Sequence, residues 1–103
     1  MEYYGKRHKS LAKAIFKEEL DEICGSSEWI CVDIRNPEDF ASGHLKGARN
    51  VITREELQEV LDQGKKVLLN CYSGHTVSLL GSQLVDDGYT NIYFLDEEIS
   101  DCL

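Results

Sequence analysis

The stretch Val67-Leu68-Leu69-Asn70-Cys71-Tyr72-Ser73-Gly74-His75-Thr76-Val77 decides how this chain folds. Val67 to Asn70, led in by Lys65-Lys66, is a short apolar run of the kind that forms a buried strand. Val77, Leu80, Leu84 and Val85 then recur at helical spacing until Gly88 stops the pattern. Only a short polar loop separates strand from helix. In open α/β sheets, binding sites form beyond the carboxyl ends of strands, and Cys71 stands at such an end. A loop this short has to curl around the cysteine side chain. Its backbone N–H groups then point inward as an anion-binding nest, and the helix N-terminus adds partial positive charge. Both effects favour a thiolate over a thiol. Gly74 fits the tightest bend, where φ is positive. Ser73 and Thr76 offer hydroxyl donors, and His75 offers a donor or a positive charge according to its protonation. The competing reading makes Cys71 a small buried core residue, as free cysteines often are. Its place between a strand end and a glycine-containing polar loop weighs against that.

Working outward, the same alternation of short β-rich runs and amphipathic runs predicts a parallel α/β sheet. Upstream, Ala14 to Phe16 reads as a short first strand, and Lys17 to Ile23 as a helix with Leu20 and Ile23 facing inward. Trp29 to Ile34 is a strong buried strand. Asn36 caps a helix with Pro37 at its first position and acids in its first turn, and Gly43 ends it. Ala48 to Ile52 adds a short strand. Thr53 and Glu56 form a capping box for a helix with Leu57, Val60 and Leu61 on one face, closed by Gly64. Downstream, Asn91 to Leu95 is a last strand, followed by the acidic run Asp96-Glu97-Glu98.

The 103 residues suffice for one compact domain. Hydrophobic residues at 42% and charged residues at 29% place the chain among globular proteins rather than disordered ones. A net charge of -8 argues against a general nucleic-acid surface. No apolar run is long enough to cross a membrane, and the start has no apolar signal region, so the expectation is a cytoplasmic protein with neither nucleic acid nor membrane as partner. Lys6, Arg7, Lys9 and Lys13 cluster near the start; residues 1–12 read as a solvated, mobile basic arm, with a docking arm for an acidic partner as the alternative. The domain proper is then 13–103. The four cysteines, Cys24, Cys31, Cys71 and Cys102, contain no C-x-x-C pair, which disfavours a zinc ribbon or a dithiol redox site. Cys24, Cys31 and Cys102 read as bystanders, with Cys102 as a resolving thiol the less favoured alternative.

Three segments together resemble the rhodanese family. Val32-Asp33-Ile34-Arg35 followed by Pro37-Glu38-Asp39-Phe40 resembles its first signature, and Gly43-His44-Leu45-Lys46-Gly47-Ala48-Arg49-Asn50-Val51 its second. Cys71-Tyr72-Ser73-Gly74-His75-Thr76 resembles its catalytic loop, C-x-x-G-x-[RST]. The order and separations also match, from about Ala14 to Leu95. The resemblance implies a five-stranded parallel sheet flanked by helices on both faces. It implies transfer of a sulfane sulfur from a donor such as thiosulfate or a persulfide to a thiophilic acceptor: cyanide, a thiol, or a small redox protein. It places the catalytic position on Cys71 and the persulfide-binding loop on Tyr72, Ser73, Gly74, His75, Thr76 and Val77. It implies no cofactor and no metal. Asp33, Arg35 and His44 match motif positions outside the loop and read as structural, with Asp33 and Arg35 as an ion pair near the strand end. Val77 is bulkier than the residue the family often has there and is expected to narrow the pocket. The acidic run at Asp96 stands where the family has glycines, and the terminal helix is largely missing. An acidic rim there would disfavour anionic donors. Two other readings stand beside this one. A phosphatase or arsenate reductase needs a larger loop and an arginine where this chain has Val77. A non-enzymatic or regulatory sulfur-relay or protein-binding module would explain the acidic tail, the short C-terminus and Val77.

Overall fold

In a computed structural model, which describes residues 2–103, the chain forms one five-stranded sheet in the order β1-β5-β4-β2-β3, every pairing parallel. The strands are β1 (Lys13–Ile15), β2 (Trp29–Asp33), β3 (Arg49–Asn50), β4 (Lys66–Asn70) and β5 (Ile92–Leu95). The helices are α1 (Leu20–Ile23), α2 (Pro37–Ser42), α3 (Arg54–Leu61) and α4 (His75–Asp86), with 3-10 turns at Lys17–Glu19 and Ile99–Asp101. The expected first helix is therefore split: its first turn winds as a 3-10 helix, in which Glu19 Oε2 accepts from the Phe16 N–H. The two caps read from sequence form. Asn36 Oδ1 accepts from the Asp39 N–H, and Thr53 and Glu56 each take a backbone donor of the other's end of the turn.

Strand alternation sends side chains to two cores, one on each face of the sheet. On one face Val32, Val67, Leu69 and Phe94 pack under α3 and α4, against Val60, Val77 and Leu84. On the other, Cys31, Leu68 and Leu95 pack under α1 and the terminal 3-10 turn, against Leu20, Ile23 and Ile99. Both faces are covered, so the central strands are apolar throughout rather than alternating. Each fully buried Val, Leu or Phe contributes about 1.5–3 kcal/mol.

The expected solvated arm is corrected by the structure. Tyr4 and Ser10 pair through two backbone hydrogen bonds, and the segment folds back on the domain. Ser10 is wholly buried, its hydroxyl donating to the Ser78 carbonyl of α4 at 2.6 Å, and the Leu11 N–H donates to Ser82 Oγ. The backbone N–H groups of Lys6, Arg7 and His8 all donate to the Asp96 carboxylate. A buried carboxylate needs donors, and this segment supplies them. Basic side chains mark the arm's surface; its backbone fixes its place.

Candidate active site

β4 is the middle strand, and the chain passes from its end at Asn70 into α4 at His75 through Cys71 to Gly74. Cys71 belongs to the core beneath α4, with 5% of its surface exposed. The Gly74 N–H donates to its Sγ at 3.3 Å. That is one amide where a ring was expected. The amides of Ser73, His75, Thr76 and Val77, however, have no acceptor among the described residues. Those of His75, Thr76 and Val77 are the unpaired first-turn donors of α4, and Ser73 precedes its cap.

Gly74 has φ +96°, as the bend requires. It also packs against the end of the neighbouring strand: a Cβ there would lie 2.9 Å from the Leu95 carbonyl oxygen and 3.2 Å from Asp96 Cα. The loop is thus clamped between its own helix and the chain leaving β5.

The remaining loop residues divide. Ser73 is half-buried, and His75 and Thr76 are exposed; neither the Ser73 nor the Thr76 hydroxyl is hydrogen-bonded among the described residues. Tyr72 is 47% exposed; its hydroxyl donates to Asp39 at 2.5 Å and accepts from the Asn36 amide, tying the loop to α2. The Asp39 carboxylate pushes this phenol above its ordinary pKa. Val77 corrects another expectation: it is fully buried in the core, so it supports the loop from below and does not narrow the mouth.

Asp33 and Arg35 form a two-pronged buried ion pair, with Nη2 2.8 Å and Nε 3.1 Å from Asp33 Oδ2. Arg35 also donates to the Gly43 carbonyl, which ties the β2 end to the turn after α2, and its guanidinium lies 5.8 Å from the Tyr72 ring centre. His44 stacks on Phe40 at 3.8 Å and donates through Nδ1 to the Phe40 carbonyl. It shapes the turn. Two surface grooves, of about 630 and 820 Å³, include none of Cys71 to Thr76 in their lining; the first is lined by His44, Cys24 and Cys102, the second by Arg35, Leu57, Leu61 and Leu80.

The acidic run does not form a rim of free charge. Asp96 is wholly buried, Glu97 accepts from the Lys17 N–H, and Glu98 pairs with Arg7 at 2.9 Å. Burial works to raise the Asp96 carboxyl, but the Arg7 and Lys6 amides, with His8, outweigh it and hold its pKa below the usual carboxylate value. Sequence reasoning put Asp96 on an acidic rim near the pocket, not buried beside the loop, and it missed His8. A signal for Asp96 was present in its place at the carboxyl end of the strand beside β4; for His8 there was none.

The other three cysteines sit on the opposite face. Burial pushes Cys31 up to about 12 and Cys102 to about 11, and raises Cys24 as well. All three are neutral thiols at neutral pH, and all four cysteines are free.

A parallel α/β domain with one cysteine seated where its middle strand passes directly into a helix N-terminus is a class defined by fold and site together. The chain belongs to the rhodanese-like domain family, whose model matches residues 16–102. It is 32% identical over 69 residues to the thiosulfate sulfurtransferase GlpE of Stutzerimonas stutzeri, a match spanning 65% of this chain and 63% of that protein. It is 30% identical over 86 residues to GlpE of Pseudomonas putida, spanning 82% of this chain and 78% of that one. Among solved structures, a Rhodopseudomonas palustris protein described as of unknown function and a possible tyrosine phosphatase superposes with a TM-score of 0.71 at 18% identity, over 88% of this chain and 79% of that one. Reduced CoADR-RHD of Bacillus anthracis gives 0.67 at 22% identity, over 84% of this chain and 16% of that one. These two likenesses establish the fold alone.

Proposed function

We propose that the protein is a thiosulfate sulfurtransferase that carries sulfur as a persulfide on Cys71. The observation that carries this reading is the Gly74 N–H aimed at Sγ, backed by the free first-turn amides of α4. The Cys71 thiolate attacks the outer sulfur of thiosulfate; the bond between the two donor sulfurs breaks, and sulfite leaves with its electron pair. In this reading the unpaired amides of Ser73, His75 and Thr76 join that of Gly74 as donors for the outer sulfur's charge. An acceptor then attacks that sulfur, the S–S bond to Cys71 breaks, and the thiolate returns. Cyanide and small thiols are the acceptors this chemistry admits, with a small redox protein as the thiol in a cell. Four free thiols fit a reducing, cytoplasmic setting. No described helix is long and apolar enough to cross a membrane.

Two of the three features that favoured a non-enzymatic module lose force, since Val77 lies in the core and the acidic run is engaged by residues 6–8 and Lys17. A phosphatase reading lacks the arginine that would grip a tetrahedral oxyanion after this loop. The test is thiosulfate treatment followed by mass mapping. One added sulfur atom is expected on Cys71, and Cys71→Ser is expected to abolish turnover in ping-pong assays. Sulfur mapped to another cysteine, or turnover in the Ser variant, removes the assignment.

A further inference from the structure

His8 lies outside the stretch that matches the family model, yet it stands beside the cysteine loop. Asp96 directly follows β5, the strand next to β4, and a Cβ on Gly74 would come within 3.3 Å of its Oδ1. His8 Nδ1 lies 3.1 Å from that same oxygen, and its ring centre lies 5.5 Å from that of His75, the first residue of α4. The side chain is 25% exposed. The tautomer follows from chemistry. Asp96 is held as a carboxylate by amide donors and has no proton to give, so Nδ1 carries the hydrogen. Nε2 of the neutral ring is then a lone-pair nitrogen, and it has no partner among the described residues. An imidazole oriented through Nδ1 by a buried carboxylate, with a free Nε2, is the arrangement of a general base.

Building on the sulfurtransferase reading, we propose that His8, oriented by Asp96, is the proton acceptor for thiol acceptors in the second half-reaction. The acceptor thiol gives its proton to His8 Nε2. Its sulfur forms a bond to the outer persulfide sulfur, the bond to Cys71 Sγ breaks, and that electron pair leaves Cys71 as thiolate. The proton on His8 then passes to water. Nearby charges are those of Asp96, of His75 when protonated, and of Lys6 and Arg7 on its own segment, Arg7 being paired with Glu98.

His8→Asn separates this role from a structural one, because the asparagine amide can still donate to Asp96 while supplying no base. The protein is loaded with thiosulfate, freed of excess donor, and discharged in a stopped-flow instrument into dithiothreitol or into sulfite, whose proton-free form is already plentiful at neutral pH. At about pH 7 the variant is expected to discharge to dithiothreitol about 100-fold more slowly, with sulfite discharge at the parent rate. The deficit closes as pH rises past ~8.5, where the thiol ionises unaided. An unchanged dithiothreitol rate overturns the proposal, as does an equal loss toward sulfite, which marks a structural role. His8→Gln gives the same comparison should the Asn variant fail to load. Failure of the parent protein to load sulfur overturns the sulfurtransferase reading instead, and this proposal with it.

Discussion

Gly74→Ala is expected to destabilise the protein and to slow loading of Cys71. At an unstrained position, Gly→Ala stabilises by about 0.4–1 kcal/mol, because the unfolded chain loses freedom. Gly74 is not such a position. Its φ of +96° costs an L-residue about 1–2 kcal/mol. The new Cβ would also meet the Leu95 carbonyl at 2.9 Å, and neither group can rotate away, since both are backbone. Overpacking of that kind costs about 1–3 kcal/mol. The balance is a net loss of about 2–4 kcal/mol, a large share of the ~5–15 kcal/mol that holds a domain of this size. With a urea slope near ~1.5 kcal/mol/M, the unfolding midpoint falls by roughly 1.5–2.5 M. Gly64→Ala is the control. Gly64 also has positive φ, +71°, but a Cβ there meets nothing within 4 Å, so it carries only the backbone term, about 1 kcal/mol. If the two alanine variants unfold within about 0.5 kcal/mol of each other, the close packing of the loop against the β5 end is not what fixes its shape.

Arg35→Ala strands the Asp33 carboxylate, which is wholly buried, and is expected to cost about 3–5 kcal/mol in urea unfolding; a loss under about 1 kcal/mol would falsify the view of this pair as a buried brace. Iodoacetamide labelling mapped by mass spectrometry checks the cysteine environments. A raised pKa keeps a thiol neutral until pH approaches it, so Cys102 is expected to stay nearly unlabelled at neutral pH and to react as pH climbs toward about 11, with Cys31 later still, toward about 12. Rapid labelling of Cys102 at neutral pH would contradict its burial.

The sheet, the two caps and the strand–cysteine–helix turn were legible because each rests on neighbours in sequence. Asn36 and Thr53 cap groups three residues away, and Val67 to Asn70 announces a covered strand through its own apolarity. The parallel topology followed from the alternation. Most of what could not be read depends on partners 68 to 90 residues apart. Asp96 looks like one of three solvent-facing acids until the N-terminal amides are seen around it. Val77 looks like an obstruction until the helix phase turns it into the core. Residues 4–10 look like a charged tail because their anchoring is done by backbone N–H groups and one serine, and neither leaves a compositional trace. Helix periodicity also gave no sign that Lys17–Glu19 would tighten to a 3-10 turn.

The pairing of β1 with β5 gives this small domain a particular order of assembly. The amides of residues 6–8 wait on a carboxylate at position 96, and the clamp on Gly74 is made by residues 95 and 96. During synthesis from the N-terminus, the cysteine loop emerges well before either contact is possible. Its thiol therefore has its final surroundings only once the chain has closed this long loop, whose closure carries an entropic cost. A nascent chain halted before position 96 would hold every residue of the loop, yet not the neighbours that shape it.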